Sequence, residues 1–431
     1  MQLFADRRRR VLERMDGVAV VPAAPVAIRN NDVEHEYRQD SDFYYLTGFD
    51  EPQSVLILST AHPDHRAVLF VRPRDPEREV WDGARAGVEG AKERCGVDAT
   101  FPIAELKNKL HEYLAGARNL YYELGKRRGM DSRVLSAIAK ARGKGRSPKP
   151  WPTVIRHPES LWHEMRLVKD ADELAHMRKA ADISGEAHLG AMRLAHPGRY
   201  EYEIEAHFRE VFRKNGSERP AYAPIVGSGP NATVLHYNTN RRRLEDGELL
   251  LIDAGCEFGY YASDLTRTFP VNGRFSAPQR QIYEIVLEAQ LRAIEEAKPG
   301  STIDRIHEAA LRCLVEGMLR IGLLRGEVDK VIEDESYRRY YMHRTSHWLG
   351  MDVHDVGAYF VDGAPRALAP NMVLTVEPGI YVAKDDDQAA PEYRGIGVRI
   401  EDDVLITETG HEVLTRSVPK AADEVERACG S

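Results

Sequence analysis

The sequence predicts a mixed α/β (α+β) chain in two parts, an N-terminal α/β domain over residues 1–168 and a larger C-terminal domain over 169–431. Three observations lead there. The first is alternation: apolar runs such as Ser54-Val55-Leu56-Ile57-Leu58 and Ala67-Val68-Leu69-Phe70-Val71 alternate with polar helical segments, the pattern of an α/β layer. The second is a break. Arg142 to Pro152 (RGKGRSPKPWP) is basic and rich in Gly and Pro, which suits a linker better than regular structure, and the linker is set at about 142–168. The third is a grammar that occurs twice. Asp170 to Glu173 reads as a capping box opening a long helix that His196-Pro197-Gly198 stops, and a second helix, Glu201 to Lys214, ends at Asn215-Gly216. Farther on, Ser276 caps a helix that ends at Lys298-Pro299-Gly300, and another begins near Thr302. Aligning the two Pro-Gly stops pairs Ala191 with Ala293, Ala195 with Ala297, Pro197 with Pro299 and Ile204 with Ile306. Few positions match; it is the layout that favours a domain of two similar halves, each a helix pair followed by strands.

Composition narrows the function classes. Hydrophobic residues make up 42% and charged residues 30% of 431, as in a globular protein with a sizeable core rather than a disordered chain. A formal charge of −8 gives no general reason to expect nucleic acid as a partner. Around the run Arg7 to Arg10 lie Asp6, Glu13 and Asp16, and no long apolar stretch follows. It therefore reads as the solvated face of a first helix and not as a targeting segment. No apolar stretch has the length of a membrane span. Cys95, Cys256, Cys313 and Cys429 are far apart and lack metal-ligand spacing, so reduced thiols in a cytoplasmic setting are expected.

Acids occupy positions where the pattern calls for sheet. In LLLIDAGCEFGYYASDLTRTF, Leu249 to Phe269, an apolar run ends in Asp253, and Asp264 enters a second strand-like segment. A hairpin turning at Phe258-Gly259 would set Asp253 opposite Asp264, with Cβ atoms roughly 5 Å apart, a destabilising arrangement for like charges. A shared proton, a nearby arginine or a bound cation would offset the repulsion; alternatively, one acid points to solvent at a strand end. The second half adds two more. Glu377 lies in VLTVEPGIYV on the face of Val373 and Thr375, and Glu401 follows Arg399 by two residues in another strand-like run. A lone acid beside an arginine is usually an ion pair. Four acids in four apolar strand contexts would cost several kcal/mol per buried charge without a cation, and a pair of divalent ions is the economical resolution. Histidine supplies the remaining ligand type: His343, His347 and His354 fall in YMHRTSHWLGMDVHDVG, and His236 lies upstream. Taken singly, each is a packed or surface residue. A site of carboxylates with one imidazole suits Mn²⁺, tolerates Co²⁺ or Zn²⁺, and is unlike a closed cysteine-based zinc site. Two such ions about 3.5–4 Å apart would polarise a carbonyl and generate hydroxide between them.

These segments together resemble aminopeptidase P, the Xaa-Pro aminopeptidases of the pita-bread metallopeptidase family. The resemblance runs nearly full length: YRQDSDF with Thr47-Gly48-Phe49, then DAGC, DLTRTF, SHWLG with DVHD, VEPG and GIGVRIEDD. It implies a pita-bread catalytic domain with an internal pseudo-twofold repeat and a curved, mainly antiparallel sheet. It further implies that Asp253 holds one metal, Asp264 and Glu401 bridge two, and His347 and Glu377 complete the second. By the same resemblance His236 and His354 are outer histidines that bind substrate and steady the tetrahedral intermediate. His343 lines the site, Arg399 orients carboxylates and borders the substrate, and Glu377 takes a proton from the attacking water. The implied substrates are peptides with proline second, and the implied assembly is a homo-oligomer (dimer or tetramer). Asp42 and Trp81 are candidates to reach a neighbouring subunit's site; otherwise they are a turn cap and a core tryptophan. One departure stands out. Arg344-Thr345 replaces an expected Gly-Leu or Gly-Thr, and the arginine could narrow the site or contact the carboxylate end of a substrate. The competing readings are prolidase, restricted to Xaa-Pro dipeptides; methionine aminopeptidase, which usually lacks so large an N-terminal domain; and a metal-free binding protein of the same fold.

Overall fold

The computed structural model describes residues 2–143 and 149–430. Its chain divides into two compact units, Met1–Met165 and Arg166–Ser431. In the first, six strands form one sheet: β1 (Val18–Pro22), β2 (Val55–Ser59), β3 (Ala67–Val71), β4 (Ala99–Pro102), β5 (Asn119–Tyr121) and β6 (Val154–Arg156), ordered β4-β3-β2-β1-β5-β6. The pairs β1/β2 and β2/β3 are antiparallel, and the outer pairs are parallel. Two sequence expectations shift here. The stretch read as linker contributes β6 to the sheet edge, since Val154 and Ile155 complete a ladder with β5 that a three-residue run cannot announce; residues 144–148 of that stretch lie outside the described residues. The arginine run is only partly solvated. Arg7 and Arg8 are buried; Arg8 donates to the carbonyls of Leu46 and Cys95, and Arg7 lies over the Tyr45 ring.

The second unit repeats a plan. Helix α1 (Ala171–Leu194) opens on a capping box at Asp170 and Glu173 and packs on α2 (Glu201–Lys214). Helix α3 (Ala277–Glu295) opens on a capping box at Ser276 and Gln279 and packs on α4 (Ile303–Arg320), capped by Thr302. After each helix pair comes a long antiparallel hairpin that is interrupted midway. The first comprises β7 (Leu249–Asp253), β8 (Cys256–Phe258), β9 (Tyr261–Ala262) and β10 (Thr266–Pro270). The second comprises β11 (Val373–Val376), β12 (Gly379–Tyr381), β13 (Gly397–Arg399) and β14 (Asp402–Ile406). Apolar side chains of α1 to α3 and of both hairpins, among them Phe208, Leu250, Ile252, Phe269, Tyr283, Val398 and Ile400, form one buried core.

The first hairpin corrects the expected register. Its turn is at Gly259-Tyr260, both with positive φ (57° and 71°), as a two-residue turn matched to strand twist requires. Moving the turn by one residue sets Asp253 opposite Thr266, not Asp264. Asp264 falls in the gap between β9 and β10, opposite Gly255. Only glycine fits there, because a Cβ would stand 1.7 Å from the Ser263 carbonyl oxygen. The opposed acids are found in the second hairpin. Its register is the same on both sides of the gap, Val376 with Asp402 and Gly379 with Arg399, which sets Glu377 opposite Glu401.

A buried ion pair joins the hairpins. Arg267 of β10 donates to Asp402 Oδ1 (2.8 Å) and to the carbonyls of Glu401 (2.6 Å) and Val418 (3.0 Å). Asp402 also accepts from Gln290, Thr415 and Lys420, and Arg267 with Lys420 holds its carboxyl far below the usual range despite burial. Removing one member of a buried pair leaves an uncompensated charge. Arg267→Met is therefore expected to lower unfolding stability by about 3–5 kcal/mol in denaturant titration, while Arg280→Ala, at an exposed helix pair, changes it by less than about 1 kcal/mol.

Candidate metal centre and pocket

Asp253 ends β7, Asp264 sits between β9 and β10, Glu377 between β11 and β12, and Glu401 between β13 and β14. Each acid thus stands where a ladder loses its regular pairing. The freed backbone groups find other partners: Ala254 N donates to Leu265 O, Glu377 N to Thr345 O, and Glu401 N to Thr266 O. The gaps therefore stay hydrogen-bonded.

The side chains converge. Asp264, His347 and Glu401 each offer a ligand atom, all within 4.8 Å of one another. His347 Nε2 is 3.4 Å from Asp264 Oδ2 and 3.4 Å from Glu377 Oε1. Asp253 joins through Tyr222, whose hydroxyl lies 2.5 Å from Asp253 Oδ1 and 2.6 Å from Asp264 Oδ1. A hydroxyl has one proton, so with both carboxylates this close, a second proton or a cation must be shared among them.

Electrostatics make the same point. Burial, and then the neighbouring anion Asp264, push Glu401 well above the usual carboxylate range. Burial also lifts Asp253, against the pull of Arg399, and lifts Glu377, against His347, to about 7. For Asp264 burial is the largest single influence, but the hydrogen bond and charge of His347, the Tyr222 hydroxyl and Arg399 together outweigh it, and its pKa falls. Burial opposes the His347 imidazolium, yet Asp264 and Glu377 hold it charged up to about 9. Glu377 and the His347 imidazole thus hold protons near neutral pH while Asp264 stays ionised, and protons held this way are what a bound cation replaces. Carboxylates with one imidazole form a hard, oxygen-rich donor set that fits divalent cations. The His347 ring is already oriented for ligation. Its Nδ1 donates to the Trp348 carbonyl (3.0 Å), which leaves Nε2 facing the acids.

A hydrogen-bond chain steadies the group from behind. Arg399 donates from Nη2 to Asp253 Oδ2 (2.6 Å) and from Nη1 to Tyr381 Oη (3.0 Å), and Thr266 Oγ1 donates to Glu401 Oε2 (2.6 Å). His343 Nδ1 lies 2.8 Å from the Arg344 carbonyl, which can only accept, so Nε2 accepts the Tyr381 hydroxyl at 2.8 Å. Burial, with help from Arg399, keeps His343 neutral, its pKa pushed down to about 4. Beneath Asp264, the buried Asp403 accepts from Ser263 Oγ and from the Asp264 amide.

A cavity of about 620 Å³ opens over this group, bordered by Asp253, Glu377, Arg399, His236, His343, His347 and His354. The His354 ring stands edge-on to His347, centroids 4.3 Å apart. The nine residues expected at the site, Asp253, Asp264, His347, Glu377, Glu401, His236, His343, His354 and Arg399, therefore fall at the cluster or its cavity. Tyr222, Thr266, Tyr381 and Asp403 were missed; Tyr222 lies outside the strands, a tyrosine or threonine has no sequence signal that separates it from core, and Asp403 merges into the acidic run that Glu401 begins. In the N-terminal unit Asp42 is buried against His163 Nε2 (2.8 Å) and Asp40 is the helix cap, whereas Trp81 is 87% exposed and is not a core residue.

The sequence matches metallopeptidase family M24 over residues 175–408 and the aminopeptidase P N-terminal domain over residues 4–121. The chain belongs to metallopeptidase family M24. Among curated M24 relatives, the Xaa-Pro aminopeptidase of Escherichia coli (strain K12) is 44% identical over 428 residues, covering 99% of this chain and 97% of the relative. Among solved structures, Pseudomonas aeruginosa aminopeptidase PepP superposes with a TM-score of 0.96 at 49% identity, covering 99% of this chain and 97% of that one. A zinc-substituted E. coli aminopeptidase P in complex with product superposes with a TM-score of 0.95 at 44% identity, covering 99% and 98%. The M24 region contains the whole cluster, so metal uptake is directly testable. Because ligands must be deprotonated to bind, His347 has to release a proton below about pH 9, and Glu377 another below about pH 7. Calorimetry at pH 7 in buffers of different ionisation enthalpy should show release of one or more protons per chain on Mn²⁺ binding, with affinity rising with pH. Tyr222→Phe should weaken uptake about 10–100-fold.

Proposed function

We propose that this chain is a metal-dependent Xaa-Pro aminopeptidase, cleaving the bond between an N-terminal residue and a following proline. The observation that carries the reading is the convergence of Asp253, Asp264, His347, Glu377 and Glu401 beside a cavity that Asp253, His347 and Glu377 line. When bound, a pair of divalent ions there polarises the scissile carbonyl and acidifies water. Asp253, Asp264, His347, Glu377 and Glu401 would hold them. Mn²⁺ suits this donor set best, with Co²⁺ or Zn²⁺ as substitutes.

The chain's other residues supply the rest of the chemistry. Glu377 removes a proton from the attacking water and passes it toward the proline nitrogen, which leaves as an amine. His236 and His354, exposed at the cavity, donate hydrogen bonds to the carbonyl oxygen as it gains charge. Arg399, through Asp253 and Tyr381, keeps the carboxylates from rotating. Proline at the second position removes the amide N–H that strand-binding peptidases grip. Recognition here must then come from the ring's shape and the free amino terminus. The enzyme works as a cytoplasmic homo-oligomer in this proposal, and the exposed Trp81 is a residue for a neighbouring subunit to bury.

Chelation should abolish cleavage of Arg-Pro-Pro, and Mn²⁺ should restore it, with Co²⁺ or Zn²⁺ restoring less. A strict dipeptidase would leave Arg-Pro-Pro intact and cleave only Xaa-Pro dipeptides. Glu377→Gln should reduce kcat roughly 10²–10⁴-fold.

A further inference from the structure

We infer that Arg344 receives the C-terminal carboxylate of short peptide substrates and so sets the chain length that this enzyme prefers, an inference that rests on the aminopeptidase reading. The cavity has a direction. Asp253 and Arg399 at one end are 8% and 3% exposed, whereas at the other end the side chain of Arg344 is 58% exposed and Phe360 is likewise open to solvent. With the amino terminus at the buried end, everything after the proline must run toward Arg344.

The backbone at Arg344 is fixed while its head is not. Thr345 is fully buried; its hydroxyl is bonded to His307 Nδ1 (2.8 Å) and Tyr341 Oη (2.6 Å). The Thr345 carbonyl accepts from the Glu377 amide, and the Arg344 carbonyl is bonded to His343. The segment carrying Arg344 is thus built into the site. Its guanidinium is paired with Asp304, in the first turn of α4 and also at the cavity. A half-exposed ion pair contributes little to stability, so Arg344 can exchange Asp304 for another carboxylate at small cost. The fork geometry of a guanidinium suits a bidentate carboxylate.

Length selection follows from reach. Arg344 is three positions from His347, so their Cα atoms are at most about 11 Å apart. Each extended substrate residue advances about 3.3–3.6 Å, and a terminal carboxylate one or two residues beyond the proline falls within this span. In longer peptides it passes beyond Arg344.

The Mn²⁺-loaded enzyme should be assayed on Ala-Pro-Ala and an Ala-Pro hexapeptide, each as the free acid and as the C-terminal amide. The wild type should prefer the free acid over the amide at least 5-fold, through KM, with no such preference in the hexapeptide pair, and added salt should shrink the ratio. Arg344→Met should bring the acid-to-amide ratio to about one, Arg344→Lys should retain part of it, and Asp304→Asn should increase it. An active wild type whose ratio is unchanged in Arg344→Met and Arg344→Lys would overturn this inference alone. A wild type inert toward every Xaa-Pro peptide would overturn the aminopeptidase reading and this inference with it.

Discussion

Three buried carboxylates, Asp253, Asp264 and Glu401, and a half-buried fourth, Glu377, face one guanidinium and one imidazole, and that imbalance of charge is the constraint the rest of the catalytic unit serves. Asp253, Asp264, Glu377 and Glu401 lie close enough that burial and mutual repulsion push three of them upward in pKa. Left to itself such a cluster opposes folding. It persists because the ladders that carry it are locked elsewhere, by Arg267 with Asp402, by the Ser263–Asp403 contact, and by the core under both hairpins. Bound cations turn the liability into affinity, since the surrounding structure has already assembled the anions.

The duplicated architecture explains how one chain brings such residues together. Each half supplies one helix pair and one interrupted hairpin, and each interruption releases a carboxylate from sheet geometry. Asp264 and Glu401 come from different hairpins yet bring, with His347, potential ligand atoms within 4.8 Å of one another. The Thr266 hydroxyl on Glu401 and the Arg399 guanidinium on Asp253 cross from one half to the other. A change in either half is thereby felt at both.

Much of this was legible in the residues. Helix limits followed from caps and Pro-Gly stops because capping is local chemistry: Asp170, Ser276 and Thr302 each cap where expected. The acids were conspicuous because charge in an apolar strand context needs a reason. The hairpin register was less legible. Tyr260 adopts positive φ (71°), which few side chains other than Gly and Asn favour, so the turn fell one residue beyond the expected place. Opposed acids were expected at Asp253 and Asp264 and are instead Glu377 and Glu401. Tyr222 gave no sign of its role, because a hydroxyl that bridges two carboxylates is defined only by tertiary approach. Arg7 and Arg8 looked like a solvated face; buried arginines satisfied by carbonyls 38 or more residues away leave no local trace.

Manganese anomalous diffraction from crystals grown with Mn²⁺ tests the centre of this account most directly. The expected map has two peaks about 3.5–4 Å apart, both within the shell of Asp253, Asp264, His347, Glu377 and Glu401. A map with no peak there, with the five side chains still in place and the ion bound elsewhere or nowhere, would contradict it.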